Sequence, residues 1–376
     1  MDFAFSSEQE EFRETLARFF EEQAPIAEVF RLMETPEGYD PGLWKQMGEE
    51  LGLQGVHVPE ALGGQGFGFL ELGLVMEEMG RALLCSPYFS SVCLATNAVL
   101  NAGTEEQQQR WLPGLASGET IGTLALLDEG DEWSAEGVTL EAARDADTLV
   151  LNGRKRLVTD GVQANLLVVA ARQPGSTGSD GITLAVVESD AAGLAATPHE
   201  TLDMTRKLAD VSFDGVRALP LGEPGQAGAA LAKTLDQARI CLALENVAGA
   251  ERCLNDAVAY AKDRIQFGRA IGSFQAIKHT LAEVLLEVES GKSAAYWASW
   301  VAAEDREELP LAAAVAKSFC DDAYLKASED SIHVHGGIGV TWEASPHLFA
   351  KRAKSNEILL GHPGWQRRRI AQIQGF

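Results

Sequence analysis

From Ala229 to Arg264 the chain contains no proline and one glycine, Gly249, which predicts a single long helix. Leu281 to Glu304 and Leu311 to Glu329 repeat the pattern, so everything after the turn cluster Pro220, Gly222, Pro224 and Gly225 reads as helical. The first 117 residues are helical in pattern too. Ser7-Glu8-Gln9-Glu10 has capping-box spacing, and Phe12, Leu16, Phe19 and Phe20 follow on one face. A glycine-rich connection, Pro59 to Gly66, leads to a helix-like run from Leu70 to Leu84. Another helix starts at Gly103-Thr104-Glu105, with Pro113 and Gly114 as its end.

Between these stretches the period changes. Leu149 to Val158 reads as two strands around an Asn152-Gly153 turn. Leu166 to Ala171, Ile182 to Val187 and Val211 to Phe213 are further β-rich runs. The order α, β, α implies segregated elements: an α+β multidomain chain with an N-terminal helical domain (1–117), a middle antiparallel β domain (118–222) and a C-terminal helical bundle (223–376). No GxGxxG follows a strand and no Walker loop is present, which excludes Rossmann and P-loop readings.

Charge narrows the function. With 31 Lys+Arg against 55 Asp+Glu the formal charge is −24, which opposes a broad nucleic-acid or anionic-membrane surface. Five scattered cysteines, none in a CxxC spacing, read as reduced thiols. No signal-like opening is seen, and no apolar run approaches the ~18 residues of a membrane span. The expectation is a cytoplasmic protein.

Two segments carry chemistry. Asp263 to His279 places Arg264, Arg269, Phe267 and Gln275 around a break at Gly268; arginine forks suit a pyrophosphate and an aromatic can cover a planar ring. A polar inter-helix turn is the alternative. Ile332 to Glu343 contains His335-Gly336-Gly337-Ile338-Gly339, whose glycines let backbone approach a phosphate. His333 and His335 have no second ligand cluster, which argues against a metal.

With these segments the sequence resembles the acyl-CoA dehydrogenase family. The carriers are Arg264-Ile265-Gln266-Phe267-Gly268 with Phe274-Gln275, and His335 to Gly339 with Thr341-Trp342-Glu343, supported in family order by Leu151 to Lys155 and Asp203 to Arg206. The resemblance implies FAD, a homo- or heterotetramer, an acyl-CoA substrate and electron transfer to an electron-transfer flavoprotein. It implies that Arg264, Phe267 and Gln275 reach a neighbouring subunit's FAD, that Gly336 and Gly337 approach its diphosphate, and that the Thr159 hydroxyl meets flavin N5. Where the family often has Trp before that threonine, this chain has Leu157. Where many members have a Glu-Pro-Gly-Ala-Gly-Ser segment, it has Leu126 to Trp133.

The implied reaction removes an α-proton and delivers a hydride from Cβ to the flavin, so it needs a carboxylate base. Both usual base positions lack one: they are Ala238 and Leu360. Glu245 is the replacement candidate, seven residues after Ala238 and so on nearly the same helix face, among Cys241, Leu242, Ala248 and Gly249. The alternative is a buried ion pair with Arg252 or with a residue of another helix. The empty base positions also leave open a non-catalytic, FAD-contacting subunit of a heteromeric enzyme.

Overall fold

The computed structural model describes residues 5–376. The chain runs through α1 (Ser7–Gln23), α2 (Ile26–Leu32), α3 (Pro41–Glu49), α4 (Phe69–Ala82), a π-helical turn (Phe89–Thr96), α5 (Asn97–Ala102) and α6 (Glu105–Ser117). Strands follow: β1 (Gly122–Ala125), β2 (Ala142–Asp145), β3 (Thr148–Thr159), β4 (Leu166–Arg172), β5 (Ile182–Glu188), β6 (Leu194–Pro198) and β7 (Leu208–Leu221). Then come α7 (Gly228–Asp263), a hairpin of β8 (Ile265–Gln266) and β9 (Arg269–Ala270), α8 (Gln275–Ala303), α9 (Leu309–His335), α10 (Pro346–Ile358) and α11 (Pro363–Ile373).

Local chemistry moves three of the expected boundaries. The cap of α1 is Ser6, one residue earlier, with a reciprocal box to Gln9. Helix α6 runs through Pro113 to Ser117 and stops at Gly118, which takes φ 78°. Asn152-Gly153 is not a turn: β3 is continuous, and a register shift between Leu151 and Gly153 against β7 absorbs the extra residue as a bulge.

Two compact units form. One contains Leu32–Gly68 and Cys85–Ala238. Its sheet has the order β1-β4-β5-β7-β3-β2, with β6 also on β7. The β1–β4 pair is parallel and the other pairs are antiparallel. Alternate side chains from both halves, among them Val169, Val187, Leu151 and Phe213, meet in one core.

The other unit joins the N-terminal residues to Arg31, Phe69–Leu84 and Arg239–Phe376. Here α7 from Arg239 onward, with α8, α9 and α10, forms the C-terminal bundle. Small residues set its close crossings: Gly249 faces Tyr324, and Gly291 faces Val247. At Gly80 of α4 an added Cβ would lie 2.3 Å from the Glu245 carbonyl oxygen, so only glycine lets the two helices meet there. No described helix is long and apolar enough to cross a membrane.

Candidate active site

Glu245 sits on the buried face of α7, and its partner is Arg352 of α10. The Arg352 guanidinium donates to Glu245 Oε1 at 2.6 Å, with both side chains 3% exposed. Asn356 Nδ2 donates to the same oxygen at 3.2 Å and to Asn246 Oδ1 at 2.7 Å. Asn246 Nδ2 continues to Asp321 Oδ1 (2.7 Å), and Lys317 Nζ binds Asp321 Oδ2 (2.5 Å) and the Asn356 carbonyl (2.8 Å). Burial pushes the Asp321 carboxyl up, to about 7, and pulls the Lys317 ammonium down. Arg252, the in-helix alternative, binds Asp256 instead. A buried charge this tightly engaged is costly to unpair.

At the end of α7 the two-residue hairpin turn is Phe267-Gly268, with φ of 53° and 78°. Both positive values match a type I′ turn, which suits Gly268 and costs Phe267 about 1–2 kcal/mol. Phe267 is nevertheless 90% exposed, touching Phe274 edge-on at 6.1 Å. Arg264 and Gln275 are exposed as well, and the Arg264 guanidinium has no side-chain partner among the described residues. Tyr260 stacks on His335 at 4.5 Å, and Val334 packs on Ala257 and Ala261. These contacts bring the hairpin and Gly336-Gly337 to one end of the unit. A Cβ added at either glycine would meet nothing within 4 Å, so the backbone there is bare.

In the sheet unit Thr159 ends β3, buried, its carbonyl accepting from the Thr123 hydroxyl at 2.6 Å. Leu157 takes φ 49° at a second irregularity of β3, its N–H donating to Asp210 Oδ1. Hydrogen bonds from His199, Leu157 and Arg154 outweigh burial and hold the Asp210 carboxyl below its usual range. Asp128, in the segment that replaces Glu-Pro-Gly-Ala-Gly-Ser, is tied to the fully buried Lys155 (2.7 Å) and accepts from the Thr139 and Leu140 N–H groups. Burial pulls the Lys155 ammonium down to about 8.

Residues 6–119, 128–216 and 227–374 match the N-terminal, middle and C-terminal domains of acyl-CoA dehydrogenase. The acyl-CoA dehydrogenase IpdE2 of Mycolicibacterium smegmatis is 33% identical over 97% of this chain and 98% of its own. The chain belongs to the acyl-CoA dehydrogenase family. It is an oxidoreductase of that class, with the family's helical, β and helical domains. Among solved structures, one of the electron transferring flavoprotein of Acidaminococcus fermentans covers 100% of both chains at 28% identity and TM-score 0.92. A steroid ACAD with the paired name Tcur3481-Tcur3483 covers 98% and 97% at 32% identity and TM-score 0.87.

Acyl-CoA dehydrogenases are FAD-dependent, and the residues at the hairpin end fit such a dinucleotide. A guanidinium with no side-chain partner among the described residues, an outward aromatic and two bare glycines would offer such a group charge, a ring face and close backbone approach. At the two family base positions, Ala238 and Leu360 are both buried and apolar. Leu360 has φ 60°, and its carbonyl accepts from Arg239 Nε (3.1 Å) and Gln366 Nε2 (2.9 Å). Sequence reasoning missed Arg352, Asn356, Asp321 and Lys317. Lys317 and Asp321 did carry a signal: an i,i+4 ion pair in an alanine-rich, apolar stretch. Arg352 carried none, since 107 residues separate it from Glu245.

Proposed function

We propose that this chain serves FAD-dependent α,β-dehydrogenation of an acyl-CoA thioester within a homo- or heterotetramer, with electrons passing to an electron-transfer flavoprotein. The observation that carries the reading is the exposed Arg264 beside the bare Gly336-Gly337 backbone at one end of the bundle unit. Arg264, Phe267 and Gln275 would reach the FAD of a neighbouring subunit, Gly336 and Gly337 would approach that cofactor's diphosphate, and, separately, the Thr159 hydroxyl of the sheet unit would meet flavin N5. Bound flavin supplies the hydride acceptor. The likeness to the Acidaminococcus structure supports the electron-transfer partner.

The chain's own work is to bind the thioester, polarise its carbonyl and accept the α-proton. For the carbonyl, Leu360 offers a backbone N–H that finds no acceptor among the described residues. For the proton, Glu245 is the carboxylate of this chain proposed as base, and it acts only by releasing Arg352. That ion pair, with the apolar Ala238 and Leu360, favours a second reading. In it this chain contacts FAD and a different chain supplies the base; the paired name of the steroid ACAD supports it.

Anaerobic acyl-CoA addition to the chain purified alone separates the readings. FAD-loaded homotetramers whose flavin bleaches support the first, and Glu245→Gln then abolishes bleaching while FAD stays bound. Bleaching that requires a co-expressed second chain supports the other. Failure to bind FAD in either state sinks both.

A further inference from the structure

Strand β3 is irregular just before its end. Its pairing with β7 shifts between Lys155 and Val158, around the left-handed Leu157, and only two pairs follow, Val158 with Ala209 and Thr159 with Leu208. The strand end takes its remaining restraints from outside that ladder. The buried Thr123 hydroxyl of β1 donates to the Thr159 carbonyl at 2.6 Å. In the strand order β4, β5 and β7 lie between β1 and β3, so this bond is a side-chain bridge and belongs to no ladder. The N–H of the same peptide is that of Asp160, and it donates to the Lys207 carbonyl at 2.9 Å. Both polar atoms of the Thr159–Asp160 peptide are thus engaged, and it cannot rotate without breaking a bond. Asp160 follows at φ 51°, a left-handed value that aspartate tolerates better than most residues, its carboxylate accepting from the buried Ser90 hydroxyl at 2.6 Å.

Against this tightly tied backbone the Thr159 side chain is idle. The residue is 3% exposed, and its hydroxyl finds no hydrogen-bond partner among the described residues. That oxygen is nevertheless not one of the side-chain atoms sealed from solvent. A hydroxyl left unbonded at so buried a position, on a peptide held at both polar atoms, calls for a partner outside the chain.

We infer that Thr123 is a positioning residue, which through its bond to the Thr159 carbonyl aims the Thr159 hydroxyl at the flavin. The inference rests on the reading that this hydroxyl meets flavin N5. Holding the peptide fixes ψ of Thr159, and a β-branched side chain has few χ1 choices on a fixed backbone. The hydroxyl is therefore aimed before the cofactor arrives and needs no reorganisation afterwards. Thr123, its own hydroxyl spent on the carbonyl, touches neither the substrate nor the cofactor in this role.

The test is 15N NMR of the holoenzyme, in its native assembly, carrying FAD labelled with 15N at N5. A hydrogen bond donated to N5 moves this resonance upfield. The wild type is expected to show it upfield of Thr159→Val, which has no hydroxyl. Thr123→Val is expected to lose at least half of that displacement with FAD still bound, and Thr123→Ser, which restores the donor, to keep it. A role in stability alone would lower Tm in Thr123→Val without moving the N5 resonance. If Thr123→Val does not fold or hold FAD, Thr123→Cys, a poor donor of similar size, takes its place with the same loss expected. Full displacement in a folded, FAD-loaded Thr123→Val or Thr123→Cys protein, or an equal loss in Thr123→Ser, overturns the inference and leaves the Thr159 contact standing. Failure of both the Val and the Cys variants to hold FAD assigns Thr123 to the fold alone and also overturns it. The same N5 resonance in the wild type and Thr159→Val overturns both the inference and the reading beneath it.

Discussion

The bundle unit holds charge in two contrasting ways. Around Glu245 the ions are interior and engage one another through Arg352, Asn356, Asn246, Asp321 and Lys317. At the hairpin end, Arg264 and Gln275 are exposed beside Phe267 and the glycine pair. The interior set is engaged within the fold; in the surface set Phe267 meets only the edge of Phe274 and the Arg264 guanidinium has no side-chain partner among the described residues. A carboxylate flagged by apolar neighbours is therefore first a demand for a counter-ion. An exposed aromatic on a strained turn is a demand for a ligand or another chain.

The comparison breaks most visibly at Arg352. Arg352→Met leaves Glu245 buried without its ion partner, with an expected loss of about 3–5 kcal/mol of unfolding free energy by denaturant titration. Adding Glu245→Met is expected to recover most of that loss, because two apolar groups replace a desolvated pair. A single variant as stable as the wild type would mean that Glu245 is not committed to Arg352, which would revive it as a free base.

How much of this was legible follows the same division. The hairpin and glycine segments are each contiguous, so the residue types proposed for the cofactor stand next to one another in the chain. The three zones of the fold were readable for a similar reason, since period and turn residues are local properties. The Glu245 network was half legible: its apolar helical neighbours announced a constrained acid, but Arg352 and Asn356 come from a helix folded back over α7. The Asn152-Gly153 bulge misled because the turn-forming dipeptide also serves a bulge, and only pairing with β7 decides between them.

A third way to keep a titratable group inside is to keep it neutral, as His57 in the sheet unit shows. Burial pulls its imidazole down to about 4, partly opposed by Asn97, which lies 2.8 Å from Nε2. The unfolded chain takes up this proton near pH 6.5 and the fold only near 4, so the unfolded state binds more protons between them. Stability contributed here is full above about 6.5, falls on acidification towards about 4 and levels off below. Because the ring is only half-buried, the expected difference between wild type and His57→Gln over that window is about 2 kcal/mol, read from paired urea titrations. Parallel pH curves for the two proteins would remove His57 as the cause.

The smallest effect probes the surface set. Phe267 occupies the first position of a type I′ turn whose preferred sequence is Asn-Gly, so Phe267→Asn makes the hairpin locally ideal. The cofactor-free protein is expected to gain about 0.5 kcal/mol, since the strain is relieved and only an edge contact with Phe274 is lost. FAD retention on dilution is expected to fall in the same variant. Opposite signs for stability and binding would mark Phe267 as kept for what it meets outside its own fold. A loss of stability in the cofactor-free protein would instead place Phe267 with the interior set, as a residue the fold itself needs.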